Sequence, residues 1–136
     1  MNIQRFKDDH AAIMTSVTHL RELVKSGIEQ NAAAIAQAIV AMSSAIKLHL
    51  AAEDRALYPA LAQSSDPQVA QVGQKFKDEM GGLATAYLEF SRRWNTQHSV
   101  ASNPEGFRSE ANQIFQALHQ RIRRENTELY PLAELT

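Results

Sequence analysis

Four stretches of the chain carry apolar residues at alternating spacings of three and four, and this pattern constrains the fold more than any other feature. The first stretch places Ile3, Phe6, Ile13, Val17 and Leu20 on this spacing. Residues spaced in this way lie on one face of an α-helix, whereas a half-buried strand would alternate every second residue. The pattern therefore predicts amphipathic helices that must bury their apolar faces against one another, because isolated helices of this length are marginal in water.

Glycine and proline mark the boundaries between the stretches. Gly27 closes the first, and the segments 64–67 (Ser-Ser-Asp-Pro) and 102–104 (Ser-Asn-Pro) place a capping residue directly before a proline, which is typical of a helix start. The four predicted helices cover 3–26, 30–62, 66–97 and 104–130. With short connections between them, they indicate an all-α fold, in which residues 1–136 form a single antiparallel up-down-up-down four-helix bundle.

Composition excludes several classes of protein. The 14 Lys and Arg residues nearly balance the 15 Asp and Glu residues, giving a net charge of -1, which argues against a nucleic-acid-binding surface spread over the whole molecule but leaves room for a local basic patch. No run approaches the roughly 20 apolar residues of a membrane span, and the N-terminus opens onto charged residues rather than a signal peptide. We therefore expect a cytoplasmic protein without a nucleic-acid or membrane partner. With no cysteine, any transition metal must be bound by the five histidines and the carboxylates.

Five polar residues interrupt the apolar stripes. His10, His49, Glu53, Arg121 and Glu125 occupy positions where the spacing calls for Leu or Ile. Burying an unpaired charge costs several kcal/mol, so these side chains must pair with one another or coordinate a bound ion. His49 and Glu53 are four residues apart and therefore share a helix face, as do Arg121 and Glu125.

The two halves of the chain resemble each other. Residues 6–13 align with 76–83 at an offset of 70, and residues 49–59 align with 121–131 at an offset of 72. The simplest interpretation is a duplicated helical hairpin, packed about a pseudo-two-fold axis. Inward-facing carboxylates and histidines from four such helices are the means by which bundles build di-metal sites.

The order His10, then His49-x-x-x-Glu53, then Glu125, with Leu-Tyr-Pro following each Glu, resembles the hemerythrin-like (HHE cation-binding) family. The resemblance covers nearly the whole chain. It implies a four-helix bundle with a non-haem di-iron centre that serves oxygen binding, iron handling, or the sensing of oxygen and nitric oxide.

The chain departs from the family pattern at two positions. The pattern implies a histidine where this sequence has Met80 and another where it has Arg121. The resemblance therefore implies that His10 and His49 would hold one iron with the bridging Glu53 and Glu125. The terminal ligands of the second iron are missing.

Three interpretations of this constellation remain open. In the first, the two histidines and two glutamates bind one divalent metal, such as Fe(II), Mn(II) or Zn(II), and leave positions open to small molecules. In the second no metal binds, and Arg121 donates hydrogen bonds to Glu53 and Glu125. In the third, Glu79 or His119 rescues a two-metal centre, although the fixed cation of Arg121 would repel a metal there.

Other residues are interpreted structurally. Helical periodicity turns His19 and His119 towards solvent, and His98 falls in the turn after the third helix. Tyr58 and Tyr130 are interpreted as packing residues that cover the end of the bundle, each followed by a proline that closes its helix; the alternative is that they are redox-active neighbours of a metal.

The leading functional hypothesis is a metal-binding protein with a mononuclear iron site, possible small diatomic ligands, and a role in sensing oxygen, nitric oxide or iron. Arg121 would balance charge beside the ligands, with Met80 at the corresponding central position of the third helix. We expect no catalysis, since the core holds no acid–base pair beyond the ligands, and a monomer or weak homodimer. The alternative is a metal-free bundle that acts as a regulatory or protein-interaction module.

Overall fold

The structure, a computed structural model, describes residues 2–135, and all regular secondary structure in that part of the chain is helical. The all-α prediction is therefore confirmed. Met1 and Thr136, the ends of the predicted domain, lie outside the described residues. The helices are α1 (Ile3–Lys25), α2 (Ala32–Ala52), α3 (Tyr58–Ala62), α4 (Pro67–Met80), α5 (Leu83–Trp94), α6 (Gln97–Ser102), α7 (Pro104–Arg124) and α8 (Tyr130–Leu135).

Two π-helical turns join α2 to α3 and α7 to α8. They cover Glu53–Leu57 and Glu125–Leu129, so each begins at a predicted ligand and ends just before a Tyr-Pro pair. In each turn the tyrosine amide donates to the carbonyl of the glutamate five residues earlier. A proline inside a regular α-helix lacks a donor and clashes with the preceding turn, and the wider π turn accommodates it. The prediction that the prolines end these helices is therefore wrong.

The first π turn shifts the buried face of the helix by one residue. The periodicity predicts Ala56 and Ala60 on the buried stripe, but both are exposed. Leu57 and Leu61 are buried instead, at 0% and 3% exposure. The correction has a simple cause: a π turn adds one residue to the helix, so the stripe beyond it continues one position later.

The predicted third helix, 66–97, is interrupted. α4 ends at Met80 and α5 begins at Leu83, because adjacent Gly81 and Gly82 are poor helix formers. The segment after α5 is also helical, so His98 lies in α6 rather than in a turn. In the middle of α4, Gly73 lets the helix pack closely on α3, since a Cβ there would lie 2.6 Å from the backbone nitrogen of Ala62.

The core consists of two apolar clusters. The larger is built from α1, α2, α5, α6 and α7, with Ile35, Ile39 and Phe107 wholly buried. The smaller surrounds the π turns and includes Tyr58 and Tyr130. The five polar residues predicted on the stripes lie where the larger cluster gives way to the smaller one along the chain, and all five are buried. The apolar clusters thus enclose a polar centre.

Among the described residues, one helical segment is long and apolar enough to cross a membrane. It is Ala32–Ala62, with a mean hydropathy of 1.4 over its most apolar window. The sequence-based prediction that no such stretch exists was too strict, since alanine raises hydropathy without bulk. A buried core helix meets the same criterion, so the finding is weak evidence for a membrane span.

The one-residue shift predicts the stabilities of two neighbouring variants. Leu57→Ala should lower the free energy of unfolding by about 2–5 kcal/mol, because it leaves a cavity in the smaller cluster. Ala56→Gln, at an exposed neighbouring position, should change it by less than about 0.5 kcal/mol. Urea denaturation followed by circular dichroism measures both. The reverse order of effects would mean that the helix passes Pro59 without a π turn.

Candidate metal centre

The structure brings the four predicted ligands together. One donor atom from each of His10, His49, Glu53 and Glu125 can be chosen so that all four lie within 4.8 Å of one another. The four side chains come from α1, from the end of α2 and from the first positions of the two π turns, and none is more than 3% exposed. Their convergence is a property of the fold; that they hold a metal stays a prediction.

Each histidine is oriented by a hydrogen bond from its outer ring nitrogen. His10 Nδ1 lies 2.8 Å from Asn126 Oδ1, and His49 Nδ1 lies 3.0 Å from Asp9 Oδ2. Because Asp9 Oδ2 and Asn126 Oδ1 are acceptors, both Nδ1 atoms act as donors. Such outer partners fix the ring and its tautomer in metal-ligating histidines. Sequence analysis missed both partners, although Asn126 directly follows a predicted ligand.

The inner ring nitrogens of both histidines face carboxylates. His10 Nε2 lies 2.9 Å from Glu125 Oε1, and His49 Nε2 lies 3.0 Å from Glu53 Oε1. With Nδ1 carrying the proton, a neutral ring presents only a lone pair at Nε2, and this lone pair opposes an oxygen that also only accepts. A proton or a metal cation is needed between them.

His49 Nε2 shows the need for a proton or cation most clearly. It is buried, and no hydrogen bond reaches it among the described residues, because its contact with Glu53 lacks hydrogen-bonding geometry. A buried polar atom without a partner costs about 1–3 kcal/mol. Two imidazole nitrogens and two carboxylates form a donor set that suits one Fe(II), Mn(II) or Zn(II) ion, so the residues present fit a single metal.

Two tyrosines hold the carboxylates of the opposite half of the chain. The Tyr58 hydroxyl donates to Glu125 Oε2, and the Tyr130 hydroxyl donates to Glu53 Oε2 at 2.6 Å. The Tyr130 hydroxyl also lies 2.9 Å from His10 Nε2. Both tyrosines are packing residues of the smaller cluster, as predicted, but their hydroxyls also bond to the polar centre, which the interpretation as covers of the bundle end leaves out. The repeated Leu-Tyr-Pro after each Glu was the signal that could have revealed them.

Arg121 fills the other half of the polar centre. Its guanidinium lies 3.3 Å from oxygens of both Glu53 and Glu125 and 3.0 Å from Asp54 Oδ1. Its Nη1 donates to the backbone carbonyl of Met80 at 3.1 Å. The side chain is wholly buried, and within residues 2–135 its charge is balanced by these three carboxylates. Asp54 was not predicted, although it aligns with Asn126 in the sequence repeat and lies beside the centre in the same way.

The pKa values follow from this arrangement. Burial alone would raise the pKa of Glu53, but its contacts with His49 and the charge of Arg121 lower it to about 2. Burial and the neighbouring charge of Glu53 raise the pKa of Glu125. Burial would lower the pKa of His49, but its carboxylate partners raise it. The pKa values of the two glutamates therefore differ, and the negative charge is favoured on Glu53 rather than on Glu125.

The residues invoked for a second metal do not reach the centre. Glu79 forms an ion pair with Arg124 at the surface, 2.6 Å apart, and His119 is exposed. His19 and His98 are exposed as well. Where a second metal would need ligands, the structure places the guanidinium of Arg121.

The family comparison agrees with this geometry. The family model described as "Hemerythrin HHE cation binding domain" matches residues 1–133. No curated protein and no solved structure gives a significant match to the chain.

The burial of Arg121 predicts a large effect of its removal. Arg121→Ala should lower the free energy of unfolding by roughly 3 kcal/mol or more, because it leaves buried carboxylates without a cation. Arg123→Ala, at an exposed position two residues later, is the matched control and should change it by less than about 0.5 kcal/mol. Denaturant titration in the presence of a chelator measures both. Equal stability of the two variants would contradict the buried placement of Arg121.

Proposed function

Because the chain belongs to the hemerythrin HHE cation-binding family, we propose that it is a non-haem metal-binding protein with one metal ion per chain. The observation that carries the proposal is the orientation of the two histidines. Their outer nitrogens are occupied by Asn126 and Asp9, and their inner nitrogens face two buried carboxylates. This arrangement is built for a cation at the centre.

His10, His49, Glu53 and Glu125 would hold the metal, which we propose is iron. The imidazoles would be neutral nitrogen ligands, and the carboxylates would balance the charge of the ion. When bound, a divalent iron supplies open coordination positions for exchangeable small ligands. The chain's own residues keep the site dry, orient the rings and hold both carboxylates through Tyr58 and Tyr130.

The proposed site is mononuclear because Arg121 provides a cation in place of a second ion. Its contacts with Glu53 and Glu125 occupy carboxylate oxygens that a second metal would need. A divalent ion beside a buried guanidinium would also be repelled. Arg121 thus leaves a position for a metal ion only on the side of the two histidines.

We propose the up-down-up-down order for the bundle, with a duplicated hairpin. The start of α1 contacts the end of α2 through Asp9 and His49, and the end of α5 contacts the start of α7 through Arg93 and Glu110, 2.8 Å apart. Both contacts are expected of antiparallel neighbours. The two π turns, 72 positions apart, support duplication of one hairpin.

We propose a sensing role rather than catalysis, with oxygen, nitric oxide or iron level as the signal. Ligand exchange at one buried metal can report such a signal without a reaction on a larger substrate. The protein would act in the cytoplasm as a monomer or weak homodimer, without a nucleic-acid or membrane partner. The net charge of -1 supports the absence of a nucleic-acid partner.

A second candidate is a metal-free bundle that serves as a regulatory or protein-interaction module. The observation in its favour is that Arg121 and the two tyrosines already donate to both buried glutamates. The polar centre is therefore partly neutralised before any metal binds. Metal content separates the two candidates.

The primary test is metal stoichiometry. Untagged protein produced with iron supplementation should contain close to one iron per chain, and His49→Ala should lose it because one nitrogen ligand is gone. His19→Ala, at an exposed position, should retain it. Elemental analysis measures all three. Less than about a tenth of a metal per chain, with an unchanged melting temperature after chelation, would favour the metal-free module.

The role of Arg121 as the stand-in cation has its own test. The double variant Met80→His with Arg121→His should increase metal capacity towards two ions, since it removes the fixed charge and supplies two imidazoles. Met80→Leu with Arg121→Lys retains a cation and should hold at most one ion. Iron titration of the apo proteins, followed by elemental analysis, gives both values. No gain in the histidine variant would show that the second position is not beside Arg121.

A further inference from the structure

A cleft of about 390 Å³ opens between α1 and α7, away from the polar centre. Small-molecule pockets occupy roughly 300–1,000 Å³, so the cleft has the size of a small-ligand site. Its floor is apolar and belongs to the larger core cluster. The floor residues are Val17, Leu20, Phe107, Ala111 and Phe115.

Three cations surround this apolar floor. Arg21 and Lys25 line the cleft from α1, and Arg108 lines it from α7. No aspartate or glutamate is among the lining residues. Arg21 and Lys25 form no ion pair within residues 2–135, and Arg108 has only a long, exposed contact with Glu105 at 3.7 Å. In a chain with a net charge of -1, this is a concentrated positive site.

Helix electrostatics account for only one of these cations. Lys25 lies in the last turn of α1, where a positive charge is favourable to the helix dipole. Arg108 lies in the second turn of α7, near the positive end of that helix, where the dipole gives a cation no benefit. Arg21 lies in the turn before the last turn of α1, where the dipole effect has largely fallen off. All three side chains are exposed, and two of the three charges therefore gain nothing from a helix dipole and are free to meet an anion.

We propose that this cleft binds a small amphiphilic monocarboxylate, with its apolar body on the floor and its carboxylate among Arg21, Lys25 and Arg108. The apolar floor matches an aliphatic or aromatic body and offers nothing to a compact, highly hydrated anion such as phosphate. Asn112 is the one uncharged polar side chain in the lining and can donate a further hydrogen bond to a carboxylate. The fork of an arginine suits the same group.

The cleft is separate from the candidate metal centre. Its nearest lining residue on α1, Val17, lies two helical turns beyond His10, and none of the predicted ligands lines it. Binding there requires no metal. The inference therefore goes beyond the proposed function and stands if that function fails.

Trp94 offers a built-in reporter. It is the only tryptophan of the sequence, and its ring meets that of Phe107, a floor residue, edge to face with centroids 5.6 Å apart. Decanoate, used below its micelle-forming concentration, should change the fluorescence of Trp94 in a saturable way. Calorimetry on the full chain should give one site per chain.

The double variant Lys25→Glu with Arg108→Glu should weaken decanoate binding at least tenfold, since the carboxylate would meet two like charges. Both residues are exposed, so the fold should tolerate the change, and circular dichroism checks this. Lys47→Glu, on the exposed side of α2, is the matched control and should bind as the original chain does. Equal affinity of all three proteins would overturn the proposal.

Three further probes separate the alternatives. Decanol, with the same chain but no charge, should bind at least tenfold more weakly than decanoate. Inorganic phosphate should leave Trp94 unchanged, and vesicles of phosphatidylglycerol should not co-sediment with the protein. Equal binding of decanol would mean that the cleft is merely an apolar groove. Saturable binding of phosphate would mean that it is a simple anion site. Co-sedimentation with vesicles that is lost in the double variant would mean that it is a membrane-binding surface. Each of these three results would overturn the proposal.

Discussion

The contact of one buried guanidinium with two buried carboxylates is the interaction on which the rest of this structure depends. Arg121, Glu53 and Glu125 are all wholly removed from solvent, and none could remain charged there alone. Their mutual contacts of 3.3 Å make the burial possible. Since Glu53 and Glu125 lie at the starts of the two π turns, the same contacts draw both halves of the chain around a common centre.

The fold and the candidate site are therefore hard to separate. Tyr58 belongs to the first half of the chain and donates to a carboxylate of the second, and Tyr130 does the reverse. A bundle usually gains its stability from apolar packing and places its ligands as additions to it. Here the candidate ligand carboxylates are also the groups through which the halves are joined, so a change in one half is felt at the side-chain oxygens of the other.

Much of this could be predicted from the sequence, because helical periodicity and the internal repeat are both strong signals. They indicated the all-α fold, the start of α1 and the convergence of His10, His49, Glu53 and Glu125. The π turns were not predicted from the sequence. They arise where a proline is tolerated inside a helix, and this depends on burial, which residue spacing does not report. Once the turn adds a residue, the stripe beyond Glu53 shifts, and periodicity alone assigns the wrong alanines to the core. The bonds made by the Tyr58 and Tyr130 hydroxyls were not predicted for a related reason. A bond between the two halves of the chain follows from how the halves pack rather than from the sequence of either segment.

The π turns also decide how this protein could diverge. Each is one residue more than a regular helix needs, and one residue turns the following segment by about 100°. Loss of that residue in one half would leave the glutamate in place and carry its tyrosine away from the opposite carboxylate. Because the halves carry separate copies of the turn, such a step could occur in one without the other. The pair of turns thus provides a discrete way for the two halves of the chain to become unequal in structure, as Arg121 makes them unequal in charge.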